Sequence, residues 1–190
     1  MSGHLGTLLE GPVEEAAPGL LGRCLVSEIG GLRTGVVITE VEAYGGDGDP
    51  ASHAFGGPTP RNAVMFGPPG RLYVYRAYGI HWCMNVVVGP EGTAAAVLLR
   101  GGRPVEGRPI MEGRRGRTDH LTDGPGKLCR AMGVTGEHDG VSLFDDVVRF
   151  ESRPREEGMI LATPRIGISK ATERRWRFVL AAGDVLAAGD

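Results

Sequence analysis

Glu40, Glu42 and Tyr44 stand two residues apart at the end of an alternating run, Val36 to Tyr44. In a strand the three would share one face with Val36 and Ile38. A carboxylate among apolar neighbours and a tyrosine, at the mouth of a long loop, is a candidate general base with a tunable pKa. An edge glutamate facing water would show the same pattern. Asp47, Asp49 and His53 follow, a set that could ligate a metal, although aspartates among glycines more often shape turns. Gly46 to Ala51 fits GxGxxA after a strand, yet no helix start follows and no acid stands near twenty residues on. Gly124-Pro125-Gly126-Lys127 has the look of a phosphate loop, but leucine occupies both 121 and 128, where glycine and Ser or Thr are needed. There is no G-x-S-x-G elbow and no H-E-x-x-H pair. No metal or other cofactor is expected.

The elements that must position these residues can be read from pattern. Val13 to Leu21 could form a short helix, weakened by Pro18 and Gly19. Arg23–Ile29, a Gly30-Gly31 turn and Arg33–Tyr44 read as a hairpin. Residues 45–71 form a long connection with five prolines and seven glycines, the kind of loop that carries function or is disordered. Leu72–Arg76 and Trp82–Val88 read as strands flanking a tight Tyr78-Gly79-Ile80 tip, with Thr93–Arg100 as the third strand of a meander. Residues 104–134 look helical, with Asp123 as an N-cap and Pro125 in the first turn of a helix ending at Gly133. Short strands near 141–150, 159–168 and 176–180 complete the set. The expected fold is one mixed α/β domain over residues 1–190: a curved, mostly antiparallel sheet, surrounding short helices, a protruding β-hairpin and an acidic tail over residues 1–15.

A chain of 190 residues can bury a sizeable core without a metal or disulfide. Its 32 glycines and 13 prolines forecast turns and short strands, not a helical bundle. Only two of the 21 basic residues are lysine. The remainder are arginines, suited to phosphate and aromatic contacts. A net charge of −2 excludes a protein held to nucleic acid by bulk charge alone. That total is unevenly spread: residues 1–49 carry −6, residues 50–90 carry +3 with no acid, and the rest carry +1. Seven of eleven aromatics lie between Tyr44 and Trp82. Such a neutral-to-basic, tyrosine-rich stretch suits a surface on which bases stack, but by composition alone it suits a β-core better.

Cys24, Cys83 and Cys129 are too few and too scattered for a disulfide framework or zinc site, and read as reduced and buried. The acidic amino terminus lacks a secretion signal, and the longest apolar run, Ala94–Leu99, is too short to span a membrane. A reducing interior compartment follows.

A longer series of segments is more specific than any of these motifs. It runs Thr39-Glu40-Val41-Glu42-Ala43-Tyr44, Asp49-Pro50-Ala51-Ser52-His53, Thr59-Pro60-Arg61-Asn62, Met65-Phe66-Gly67-Pro68-Pro69-Gly70 and Leu72-Tyr73-Val74-Tyr75-Arg76-Ala77-Tyr78-Gly79-Ile80-His81-Trp82-Cys83-Met84-Asn85. Val97-Leu98-Leu99-Arg100, Gly124 to Cys129, Pro164 to Ile168 and Trp176-Arg177-Phe178 continue it. In this order, from about Leu20 to Leu180, the chain closely resembles the alkyladenine (3-methyladenine) DNA glycosylase family.

The resemblance implies a monofunctional enzyme of base excision repair. It would flip a damaged purine out of duplex DNA and hydrolyse its N-glycosidic bond. By the match, Glu42 activates water and stabilises the oxocarbenium-like sugar, and Arg100 lies near that water and the backbone phosphate. Tyr44, His53 and Tyr75 would sandwich the flipped base, and Asn85 would exclude guanine by crowding its amino group. Tyr78 would wedge into the gap, with Gly79, Ile80 and His81 lining the minor groove and Arg61 on phosphate. Trp82 and Cys83 read as packing residues. The implied setting is a cytoplasmic, nucleoid-associated monomer acting on double-stranded DNA, away from membranes. The alternative is a non-catalytic nucleic-acid-binding domain on the same scaffold. Two lysines leave little for a Schiff-base lyase. Gly101-Gly102-Arg103-Pro104 departs from the family pattern, and such glycines would loosen the backbone that positions Arg100.

Overall fold

The computed structural model describes residues 3–181. Its centre is one eight-stranded antiparallel sheet, curled into an open half-barrel. The strands are β1 (Cys24–Ser27), β2 (Thr34–Tyr44), β3 (Leu72–Ala77), β4 (His81–Val87), β5 (Ala96–Glu106), β6 (Val148–Phe150), β7 (Ile160–Thr163) and β8 (Arg177–Leu180). The main path is β3-β4-β5-β2-β1-β6. β8 pairs with β2 through Glu40, Val41 and Glu42, and β7 pairs with β8. The mixed α/β fold and protruding hairpin expected from the sequence are therefore present.

Among the described residues four helices surround the sheet: α1 (Gly3–Glu10), α2 (Val13–Leu20), α3 (Arg108–Arg115) and α4 (Pro125–Met132). Residues 3–15 do not form the expected tail. They lie in α1, α2 and their junction, and bury Leu9 and Val13 in the core. Pro18 is accommodated in the last turn of α2. Asp123 does not cap α4; Gly124 holds that position, and the Asp123 carboxylate engages His120 and Lys127 instead. The strand that leads to Arg100 continues to Glu106, so residues 104–106 are extended and not helical. The loop 45–71 is built from compact turns with one 3-10 turn, Ala63–Phe66.

Strand periodicity sorts the two faces of the sheet. Leu72, Val74, Met84, Val86, Val97, Leu99, Val41 and Ala43 pack on the helix-covered face, the main core. Each fully buried side chain of this kind contributes about 1.5–3 kcal/mol. The opposite face carries Tyr73, Tyr75, Cys83, Asn85, Leu98, Glu42 and Tyr44, aligned by the cross-strand pairs Tyr75↔Cys83, Tyr73↔Asn85, Asn85↔Leu98 and Glu42↔Leu98.

Val36 and Ile38 do not join that face. They belong to the main core, because the register shifts between Ile38 and Glu40 and puts an extra residue into β2. A bulge of this kind exchanges the two faces. A second shift pairs Glu40 with Gly101 and Val41 with Leu99, which leaves Arg100 without a partner in β2.

Of the two glycines after Arg100, Gly102 serves close approach. A Cβ at Gly102 would meet Val36 Cβ and the Val37 carbonyl, both at 3.0 Å. The Gly102 N–H donates to the Thr122 carbonyl, and Gly101 bridges to Asp123. Glycine at 102 thus lets β5 lie close against Val36 and Val37 of β2, and Arg100 is held by its own side-chain contacts.

Candidate active site

β2 and β5 bring Glu42 and Arg100 together across 58 positions of sequence. The Glu42 side chain is fully buried. Its Oε1 accepts the Ile166 backbone N–H at 2.7 Å, and its Oε2 accepts the Tyr44 hydroxyl at 2.8 Å and Arg100 Nη1 at 3.3 Å. Three donors occupy three of about four lone-pair positions of a carboxylate. Arg100 is shared: its Nε donates to Glu40 Oε1 at 2.9 Å, which also accepts Arg177 Nε at 2.6 Å. Burial alone would lower the Arg100 pKa, but Glu42 and Glu40 more than offset it and hold the guanidinium above its usual value. Burial raises the Glu40 carboxyl, yet Arg177 and Arg100 win and hold it below the usual range.

Above this cluster lies a cavity of about 430 Å³ lined by Tyr44, His53, Tyr73, Tyr75, Asn85, Arg100 and Ile166, among others. Glu42 sits beneath it, covered by its three donors. Burial, then Glu42, pushes the Tyr44 hydroxyl pKa far up, and burial with Cys83 does the same to Tyr75, so both stay protonated. Tyr73 is pushed up to about 12, chiefly by burial. The Asn85 side chain donates to the Tyr73 carbonyl at 3.0 Å, and the residue is almost wholly buried.

His53 is placed differently from a simple sandwich. Its ring meets Tyr75 edge-on with centroids 4.5 Å apart, and its Nδ1 lies 3.2 Å from the Tyr73 hydroxyl. A base between two parallel rings needs about 7 Å, two contacts of ~3.5 Å, so no slot exists between His53 and Tyr75 here. Enclosure by protein, then Arg61, lowers the His53 pKa.

The hairpin between β3 and β4 carries Tyr78 at its tip, 89% exposed, in left-handed backbone with φ 50°. Gly79 shares that conformation, Ile80 is 68% exposed, and His81 packs its Cβ near Gly126 at the start of α4. Arg61 is exposed, donates to the Arg76 carbonyl at 3.1 Å and lies 6.0 Å from the Tyr75 ring. Across the hairpin a second groove, of about 830 Å³, is lined among the described residues by Arg114, Arg115, Lys127 and Arg130 and by no acid.

Several residues of the site escaped sequence reasoning. Asp49, weighed above as a metal ligand, is fully buried in a bidentate pair with Arg165, 2.6 and 2.8 Å. It also accepts the Gly45 and Ala51 N–H groups, as turn-forming aspartates do. Burial raises its carboxyl pKa, but Arg165 outweighs that and holds it below the usual range. Among the described residues, no group of three or more His, Cys, Asp or Glu is placed to hold a metal. The only hint of Arg165 was its place in the segment Pro164–Ile168. Cys24, Cys83 and Cys129 are buried free thiols, and Cys83 lines both the cavity and the groove.

The acidic residues before position 50 do not form one repelling surface. Glu28 pairs with Arg33 and Arg149, Glu40 with Arg177, Glu42 with Arg100 and Asp49 with Arg165.

No helix among the described residues is long and apolar enough to cross a membrane. Comparison with known proteins agrees with the geometry. A Rhodopseudomonas palustris (strain BisB18) protein is 53% identical over 171 residues, covering 88% of this chain and 82% of its own. One from Frankia casuarinae is 49% identical over 184 residues, covering 90% and 85%. One from Nitrosospira multiformis is 48% identical over 176 residues, covering 90% and 87%. Each bears the name "Putative 3-methyladenine DNA glycosylase". The family model described as methylpurine-DNA glycosylase matches residues 7–184. The chain therefore belongs to the methylpurine-DNA glycosylase family, enzymes that act on DNA and hydrolyse N-glycosyl bonds.

Proposed function

We propose that this protein releases alkylated purines, 3-methyladenine among them, from duplex DNA by flipping the damaged nucleotide and hydrolysing its N-glycosidic bond with water activated by Glu42. The observation that carries this reading is the buried Glu42 carboxylate, held by Tyr44, Arg100 and Ile166 directly under the aromatic cavity. Its remaining acceptor position has no protein donor and would take the water, and its charge suits a sugar on which positive charge develops. Arg100, the longest of the three contacts, would orient that water and reach the phosphate. One carboxylate suffices for an alkylated purine, which already carries positive charge and leaves readily.

The base would stack on Tyr44 and Tyr75, with His53 turning from its edge-on position to complete the enclosure. An electron-poor, cationic purine gains more from aromatic faces than a normal base does. Asn85, in the cavity wall, would crowd the guanine amino group. Tyr78 would fill the gap in the duplex, with Gly79, Ile80 and His81 against the minor groove. Arg61 would meet phosphate on one side of the hairpin, and the acid-free groove of Arg114, Arg115, Lys127 and Arg130 would do so on the other. Neither Lys127 nor Lys170 lines the cavity over Glu42, which supports a reaction without a lysine nucleophile for strand cleavage. The enzyme would act as a monomer without a cofactor, in the cytoplasm at the nucleoid.

The test is incubation with duplexes that each carry one lesion (3-methyladenine, 7-methylguanine, ethenoadenine or hypoxanthine), followed by alkaline cleavage of abasic sites. Cleavage at alkylated purines without alkali-independent nicking is expected. If every duplex remains uncut, the substrate assignment is wrong.

A further inference from the structure

One guanidinium contacts both the backbone and the tyrosine beside Glu42. Arg165 is fully buried, as is Asp49. Besides its bidentate pair with Asp49, Arg165 Nη1 donates at 2.9 Å to the carbonyl of Ala43, the residue between Glu42 and Tyr44. Its guanidinium carbon lies 4.7 Å from the Tyr44 ring centroid and 5.3 Å from that of Trp176. Ile166, the next residue, supplies the N–H on Glu42 Oε1. Asp49 in turn holds the Gly45 and Ala51 N–H groups, so the pair ties the chain that leaves Tyr44 to the segment that caps Glu42.

We propose that the Asp49–Arg165 pair is a positioning device for the reaction: it sets the Tyr44 ring and the Ile166 N–H so that Glu42 presents one fixed carboxylate geometry to water. The proposal rests on the reading of Glu42 as the water-activating base. Stability by itself is a weak reason for such a pair, since buried ion pairs often do no better than well-packed apolar residues. Arg165 Nε is moreover buried without a hydrogen bond, a cost that an apolar replacement would avoid. A planar, forked cation is needed because only that shape pairs with a carboxylate in two places, binds a carbonyl and lies over a ring at once. A lysine ammonium has the charge but neither the fork nor the plane. Arg174, 3.9 Å from Asp49 and over the Trp176 ring at 4.7 Å, backs the pair without reaching Glu42 or Tyr44.

The experiment compares Arg165→Lys, Asp49→Asn and Glu42→Gln with the unaltered protein, each assayed well below its own melting midpoint. Two readouts are taken: single-turnover release of methylated purines from methylated duplex DNA, and affinity for a duplex carrying a reduced abasic site. For Arg165→Lys the expected result is at least a tenfold slower release with affinity kept within twofold. Asp49→Asn, which keeps the arginine and its ring contacts, should give a smaller split in the same direction and serves if the lysine variant does not fold. Release at the unaltered rate in a folded variant overturns the proposal, and so does a proportional loss of rate and affinity. Glu42→Gln separates the two ideas. If it releases purines normally, the reading of Glu42 fails; if it is inactive while Arg165→Lys is unimpaired, only the positioning role fails.

Discussion

Replacing Glu42 by glutamine is the most direct probe of the site, and its cost can be worked from the contacts. The carboxylate accepts from both sides: Ile166 N–H on Oε1, and Tyr44 with Arg100 on Oε2. Glutamine offers one oxygen and one NH₂. With the oxygen toward Tyr44 and Arg100, the NH₂ faces the Ile166 N–H; turned over, it faces Arg100. Either way two buried donors confront each other, which costs about 1–3 kcal/mol, and charge assistance is lost as well. A total near 3 kcal/mol lowers the melting temperature by about 6–12 °C at this chain length, and a protein with a typical 5–15 kcal/mol of stability remains folded. The rate should suffer more. Loss of a general base costs roughly 10²–10⁴-fold, about 3–5 kcal/mol of barrier, and loss of charge opposite the sugar places the effect at the upper end. Affinity for lesion-bearing duplex should change little, because the carboxylate lies beneath the cavity surface. Release is followed in single turnover by alkaline cleavage, and affinity by fluorescence anisotropy. A folded variant that releases methylated purine within threefold of the unaltered rate would refute the argument.

Tyr78→Gly separates folding from function at the hairpin tip. Tyr78 is exposed and holds φ 50°; relief of that left-handed strain should raise stability by about 1 kcal/mol, while affinity for lesion-bearing duplex falls. A variant that gains stability and binds undiminished would end the wedge assignment. Asp49→Asn should cost about 3–5 kcal/mol at neutral pH by leaving Arg165 buried and unpaired. Because the folded-state pKa of Asp49 lies below 3.8, the unfolded chain takes up the proton first. The pair's contribution is therefore complete above pH 3.8 and is lost as pH falls through the folded value. The unaltered protein should show this extra acid slope and the asparagine variant should lack it; parallel acid-denaturation curves would contradict the assignment.

Much of the site could be read from the chain because it sits on regular strands. Tyr73 and Tyr75 on one strand, with Cys83 and Asn85 on the next, follow from a period of two and one tight turn, all local properties. Tyr78 falls at a tip because no strand continues through Tyr78-Gly79-Ile80. The pairing of Glu42 with Arg100 came from family likeness, since β2 and β5 meet across the loop and the β3–β4 hairpin. Local pattern failed where tertiary packing overrode it. The alternation from Val36 to Tyr44 looks unbroken in sequence, yet a bulge moves Val36 and Ile38 to the main core. The acidic residues 1–15 resemble a tail until the helices bury Leu9 and Val13.

Taken alone, the chain determined the architecture, the aromatic face, the hairpin tip and the identity of the candidate base. These rest on side-chain periodicity, turn chemistry and an ordered series of motifs, all carried by neighbouring residues. Tertiary structure decided what holds that base. Arg165 reaches Asp49 across 116 positions and Ile166 reaches Glu42 across 124. Contacts at such separation depend on how β7, β8 and the connecting loops fold back onto β2, which no local spacing encodes. It also decided that His53 stands edge-on to Tyr75 and that Glu42 lies under its donors. Close packing chooses those orientations, since each ring and each carboxylate oxygen settles against neighbours supplied by other strands.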